Sequence, residues 1–445
     1  MIKHIFKFEL DYWFNRWQFY VYMAIAFSCG YLTMIASGGV FDGNTATTSS
    51  ATWINSPSSL LSLIAGFSSF LYFFLPAIFG TAISKDFASE THQVLYSYPF
   101  TKFDYFFGKF SAAFIVAIIV FLFVGIGVFA GIFTPGMNSE LLGPNSFMPY
   151  LKTYGLYIIP NILIYGIIIF IIVSATRNVT LGYIVVVILL FQDVLAASIF
   201  SEVDDKRWGA MLDPFGFRAH MFYAEYWTVE EQNVNPIPTG SFVLFNRAFW
   251  LGLGALFLGF FYRYFKLSQS AFSFFKKSES TVDAMDTQKH GRPLLSVELP
   301  TINFTNNLGF QIRNIFSFAG MHLKYIVQNT AFIIFGLLSV FFLLILLAFS
   351  GQILNTETLP LTEQILNYGN VTYLFILILT FLFSGFLLHR EKEVKIDQLV
   401  DATQTNNFVH LSAKFLAIIA MIGIALLLVM VGGIGYQLYL SLIHI

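Results

Sequence analysis

The sequence predicts an all-α membrane protein, a polytopic helical bundle in which a six-span module is followed by a second, incomplete module of three spans. Three observations carry this. Of the 445 residues, 57% are hydrophobic and only 11% are charged, against about 25% charged in soluble domains. Apolar runs long enough to cross a ~30 Å hydrocarbon core recur nine times along the chain. One short charged segment also occurs twice, each copy set between two such runs.

In chain order, residues 1–17 mix aromatic and charged positions, with Phe6, Leu10, Trp13 and Phe14 on one helical face. That pattern suits an interfacial helix ahead of the first span. The apolar runs follow at 18–36, 59–83, 110–133, 153–174, 179–200 and 247–265. The polar stretch 266–317 then reads as a flexible linker. The second module occupies 318–445, with runs at 329–349, 369–388 and 415–437. A chain that stops after three spans of a six-span repeat is expected to be a fragment.

Charge orients the set. Segments 37–58, 134–151 and 350–368 contain no Lys or Arg, whereas Lys85, Lys102, Lys109, Arg177, Arg390, Lys392, Lys395 and Lys414 lie on the alternate side. Lys and Arg accumulate in the cytoplasm, which places the N-terminus, the linker and both charged segments inside. The 201–246 segment falls outside, and its aromatics suggest short helices there. A net charge of −1 supplies no basic face for nucleic acid. The single cysteine, Cys29, permits no disulfide within the chain.

The repeated segment is Ser84–Phe110, SKDFASETHQVLYSYPFTKFDYFFGKF, whose twin is His389–Phe415 at an offset of 305. Asp86 meets Glu391, Gln93 meets Gln398, and Lys109 meets Lys414. A second register links 6–19 with residues 318–332, through Leu10/Leu323, Tyr12/Tyr325 and Phe19/Phe332. Repeats of this kind mark duplicated transporter modules. Within the first copy, Phe87, Val94, Leu95 and Tyr98 share one helical face, and Pro99 ends the helix. Such a helix lies along the membrane and presents its charges to a cytoplasmic partner; an anchoring interfacial loop is the plainer reading.

Catalytic signatures are absent from the sequence: it has no GxxxxGK[ST] phosphate loop, no HExxH and no GxSxG. Within the spans, Asp193 beside Gln192, and Asn161 after Pro160, are the candidates for a transport pathway, since polar groups at membrane depth are costly. For Asp193 a structural hydrogen bond or a position near the outer interface is the alternative; at Asn161 the expectation is a kink of the fourth span that exposes backbone carbonyls to the pathway. Gly127 and Gly131 form GxxxG in the third span, and Gly432, Gly433 and Gly435 cluster in its twin, a pattern of close helix packing.

KDFASETHQVLYSYPFTKFDYFFGKF resembles the signature region of ABC-2 type permeases, the membrane subunits of exporters. In that family an acidic helix after the second span ends in a Ser-x-Pro turn and an aromatic–Gly–Lys approach to the third. The resemblance implies six spans per half and ATP-driven export from a bacterial inner membrane. It also implies a coupling helix inserted into a cytoplasmic ABC ATPase subunit made as a separate chain, which binds the ATP and Mg; no cofactor belongs to this chain. Position by position, the match covers Asp86, Glu90, Thr91, Ser97, Pro99, Gly108 and Lys109. The twin keeps Glu391 and Lys414 but has Lys395 for Glu90, Gln404 for Pro99 and Ala413 for Gly108, so the halves are expected to be unequal. The opening IFKFELDYWFNRW resembles large bacteroidetal permeases that carry a C-terminal zinc aminopeptidase of the M1 type. The alternatives are an ion-coupled secondary transporter and the membrane anchor of such a peptidase. The substrate is not specified by these residues.

Overall fold

A computed structural model describes residues 1–40, 52–89, 91–201, 206–265, 307–349, 352–353, 356–357, 362–393, 396, 398, 400 and 405–439. The chain is an all-α polytopic protein. It divides into two compact units, Met1–Lys276 and Lys277–Ile445.

Unit 1 opens with α1 (Ile2–Phe14) and α2 (Trp17–Ser37). The second expected span is bent rather than straight. Helix α3 (Pro57–Leu71) is capped by Ser56, whose hydroxyl accepts from the Ser59 amide. After a short break the chain resumes in a wide π-type turn, Pro76–Gly80, that runs into α4 (Thr81–Ala88). The two parts meet at 45°. Pro76 supplies the cause, since it lacks an N–H and crowds the preceding turn. A single turn, α5 (His92–Leu95), follows. Helix α6 (Lys102–Gly131) then starts at a capping box in which the Thr101 hydroxyl accepts from the Asp104 amide and the Asp104 carboxylate from the Thr101 amide.

Beyond α6 come α7 (Met148–Thr153), a second wide turn at Tyr154–Ile158, and α8 (Ile159–Thr176). Pro160 lies within one continuous helical span, Met148–Thr176, directly after the wide turn, which accommodates its missing N–H. Helix α8 ends at Arg177 in the left-handed region, φ 55°. Helix α9 (Val179–Ser201) leads to three short helices: α10 (Lys206–Leu212), α11 (Phe217–Ala224) and α12 (Val229–Val234). These are the short helices expected in 201–246. Helix α13 (Ser241–Tyr264) completes the unit.

Unit 2 contains α14 (Leu308–Gln328), α15 (Thr330–Phe349), α16 (Thr362–Glu393) and α17 (Asn407–Tyr439). A two-residue antiparallel pairing, β1 (Gln352–Ile353) with β2 (Thr356–Glu357), lies between α15 and α16. Helix α14 begins at Leu308, so the end of the expected linker 266–317 is helical; residues 266–306 lie outside the described residues.

Among the described residues, six helices are long and apolar enough to cross a membrane, and the bent α3–α4 pair makes a seventh. The expected spans at 179–200 and 369–388 fall on α9 and α16.

The core of unit 1 is aromatic and tightly packed around α6. Tyr72 stacks on Tyr165 with centroids 4.6 Å apart, and Phe106 meets Phe170 edge-on at 5.0 Å. The GxxxG of α6 faces α2: a β-carbon on Gly127 would strike the Phe27 carbonyl, and one on Gly131 the Met34 side chain. Gly30 on α2 meets the backbone of Val124 in the same way. The backbones approach closely because no side chain separates them, which is how small residues join helices in lipid. In the twin, Gly432 lies against Val340 of α15, while nothing lies within 4 Å of a β-carbon on Gly435.

Gly127→Leu is expected to destabilise the protein by about 1–3 kcal/mol through overpacking. Gly259→Leu, at a position with open space around it, should leave thermal unfolding in detergent unchanged. Equal shifts for the two variants would show that the α2–α6 contact is not the tight one.

Candidate functional site

The repeated charged segment folds into a buried ionic cluster. On α1, Ile5, Glu9 and Trp13 recur every fourth residue and face inward, so a carboxylate sits on an otherwise apolar stripe. On α4, Lys85 and Asp86 occupy the last turn. On α6, Tyr105 and Lys109 are one turn apart and buried.

The Lys109 ammonium lies at the centre. It is 2.7 Å from Glu9 Oε1, 2.8 Å from Asp86 Oδ2 and 2.7 Å from the Ala82 carbonyl oxygen. Lys85 Nζ reaches Glu9 Oε2 at 2.5 Å and stands 3.7 Å over the Tyr12 ring. The Tyr105 hydroxyl donates to Asp86 Oδ2 at 2.8 Å. Two carboxylates thus meet two ammonium groups; Glu9, Asp86 and Lys109 are buried, and Lys85 is half-buried at the edge of the cluster. Removing one partner of such a set leaves an uncompensated charge, which is far costlier than losing a surface pair. Helix α1 is fastened elsewhere too: the Ile2 amide donates to Asp104 Oδ1 at 2.9 Å, and Ile5 packs on Gly108. The helix expected at an interface therefore runs beside the first turns of α6. The glycine of the aromatic–Gly–Lys motif makes room for it.

The register relating the two halves holds in three dimensions. Helix α6 begins at Lys102 and α17 at its counterpart Asn407. In the other register, α2 begins at Trp17 and α15 at Thr330. The chemistry repeats as well. Lys414 Nζ is 2.8 Å from Glu391 Oε1, as Lys109 is from Asp86. The Arg390 guanidinium stands 3.6 Å over Tyr325, as Lys85 stands over Tyr12. Asn406, at the position of Thr101, caps α17 by accepting from the Phe408 amide at 3.2 Å. Two positions differ in kind: where α1 has Glu9, α14 has His322, which is also buried, and where α6 has Tyr105, α17 has His410.

Each residue expected from the sequence can now be placed. Asp86 and Lys109 are buried and paired with each other; at the second site the buried Lys414 pairs with a half-buried Glu391. Asp86 does not display its charge outward; it holds the end of α4 against α6. Thr91, Ser97 and Pro99 are exposed, and the Ser97 hydroxyl donates to the Val94 carbonyl at 2.7 Å. Glu90 and Lys395 lie outside the described residues. The continuous amphipathic helix expected through 84–98 is broken at Ser89. Its proposed apolar face is divided: Val94 and Tyr98 are exposed, while Phe87 lies under the Arg177 guanidinium at 3.8 Å. Between α1 and the α4–α5 segment opens a cleft of about 1040 Å³. Phe8, Tyr12, Val94 and Tyr98 line its walls, and Glu9, Lys85, Asp86 and Lys109 its floor.

The pathway candidates fall in a second buried network. Asn161 donates to the Phe215 carbonyl at 3.1 Å and accepts from Arg247 Nη1 at 2.7 Å. The Asn246 amide donates to the Ala210, Met211 and Asp213 carbonyls. Asp213 is fully buried and accepts from the Phe215 and Arg218 amides, both at 2.7 Å. Burial pushes its carboxyl above the usual carboxylate range. Asp193 is half-buried and interacts electrostatically with Asp213. Asn161 and Arg247 thus hold the loop 210–215.

No known protein family, curated protein or solved structure matches the chain.

Glu9, Lys85, Tyr105, Arg247, Asp213 and His322 were not singled out in the sequence. For Glu9 the signal was present, as an acid at an inward position of an apolar helical stripe. Lys109→Met is expected to cost about 3–5 kcal/mol by leaving two buried carboxylates with one ammonium. Lys3→Met, at an exposed position of α1, should leave stability unchanged. Chemical unfolding followed by tryptophan fluorescence distinguishes the two.

Proposed function

We propose that this chain is a membrane-spanning permease subunit of an ABC-2 type exporter, driven by a cytoplasmic ABC ATPase subunit made as a separate chain. The observation that carries this reading is the duplicated arrangement of span, charged latch and span. In unit 1 its base is welded by Glu9, Asp86 and Lys109, while its turn at Ser97, Tyr98 and Pro99 stays exposed. Such a segment is a lever. A force on the exposed turn passes through the ionic base into α1, α4 and α6 together, and through the glycine contacts of α6 into α2. In this account the N-terminus and both latches face the cytoplasm of a bacterium, as the distribution of Lys and Arg supports. ATP and Mg belong to the partner, and substrate release outward follows from rearrangement of the spans.

An ion-coupled transporter is the second reading, and the neighbouring carboxylates Asp193 and Asp213 favour it. Transport that persists without nucleotide hydrolysis and collapses with a protonophore would select it.

The export reading places the docking surface at the exposed turn rather than at Asp86. Val94→Glu and Tyr98→Glu are expected to reduce co-purification of the ATPase subunit at least about tenfold, the effect of removing one anchoring contact. Asp86→Asn should lower the stability of the permease itself. Unchanged association in both exposed variants would contradict the lever.

A further inference from the structure

The two latches differ in charge. In the first, Glu9 and Asp86 balance Lys85 and Lys109. In the second, among the described residues, Glu391 is the carboxylate that meets Lys414 beside Arg390, and His322 stands at the position of Glu9. The groups that face His322 are Lys414 and His410 on α17 and Arg390 and Glu391 on α16. His322 is 5% exposed, and its Nδ1 has no hydrogen-bond partner among the described residues. The first unit shows what the position requires: a carboxylate touching both cations. A neutral imidazole is favoured there, since its proton would add a third cation against the one anion among the described residues.

We propose that Glu9 and His322 are the positioning residues of a duplicated latch, and that the exchange of carboxylate for imidazole makes α14 a strap released by acidification while α1 stays fastened. The inference concerns the fold's own machinery and holds whatever is carried across the bilayer.

The direction follows from linkage. Burial pushes the His322 imidazole down from its ordinary 6.5 to about 4, with the Lys414 and Arg390 charges acting the same way and Glu391 opposing them. The docked state therefore binds the proton less readily than the released state. Docking is at full strength above pH 6.5 and weakens as pH falls toward 4. With an ordinary histidine in the released state, the opening equilibrium of α14 rises roughly 20-fold between pH 7 and pH 5.

Hydrogen exchange of the full chain in lipid nanodiscs tests this, after correction for the intrinsic pH dependence of exchange. In the unaltered protein, α14 amides should lose protection roughly 20-fold from pH 7 to pH 5, while α1 and the core of α15 do not. His322→Gln, which keeps a polar side chain without a titrating group, should flatten the dependence of α14. His322→Glu should flatten it as well and raise protection at pH 7, by restoring the balance seen at Glu9. Loss of protection spread equally over α1 and α14 would overturn the proposal. So would a pH-independent α14 in the unaltered protein, or full pH dependence retained in His322→Gln.

Discussion

An ammonium group withdrawn from water must be met by opposite charge at contact distance, and Lys109 meets that demand with two carboxylates from two other helices. The rest of unit 1 is arranged around this requirement. Glu9 can reach Lys109 only if α1 lies alongside the first turns of α6, and Gly108 eases that approach, since a β-carbon there would press tightly on Ile5. Asp86 reaches it because the second span continues past the apolar stretch and, bent at Pro76, carries α4 beside α6. A constraint at one nitrogen atom thus sets the course of three helices.

Duplication shows which parts of the arrangement the charge demands and which it does not. The second span of unit 2 is the unbroken α16, with Phe381 at the position of Pro76, yet Glu391 still meets Lys414. The bend is therefore a property of unit 1, whereas the acid–lysine pair and the cation over a tyrosine ring are common to both. The acid on the strap is not shared, and its loss is where the units part. A charge-balanced cluster resists opening over a wide pH range; one with a surplus cation and a buried imidazole does not.

Much of this was legible in the sequence. Apolar runs and charge placement located the helices, because lipid leaves few alternatives to a helix for a long apolar segment. The offset of 305 located the twin segments, and the starts of α6 and α17 obey it. The GxxxG of α6 does join helices. What the sequence concealed was direction. Asp86 reads as a surface charge in a polar segment, and only its distance to Lys109 shows that it points inward. Phe87, Val94, Leu95 and Tyr98 fit one helical face on paper, but the helix stops at Ser89 and scatters them. Glu9 carried a local sign, but the cations it meets lie 76 and 100 residues away, and Arg247 was hidden because it bonds the neutral side-chain oxygens of Asn161 and Asn246 and the Pro214 carbonyl.

The most direct test of the latch is a double-mutant cycle on Asp86 and Lys109, repeated on Glu391 and Lys414, with unfolding free energy as the readout. Asp86→Asn, Lys109→Met and the double variant should give a coupling energy of about 1.5–3 kcal/mol, with the Glu391–Lys414 cycle of the same sign and smaller, as its more exposed carboxylate requires. Additive single effects at Asp86 and Lys109 would mean that the two charges do not act on one another, and the latch would not exist.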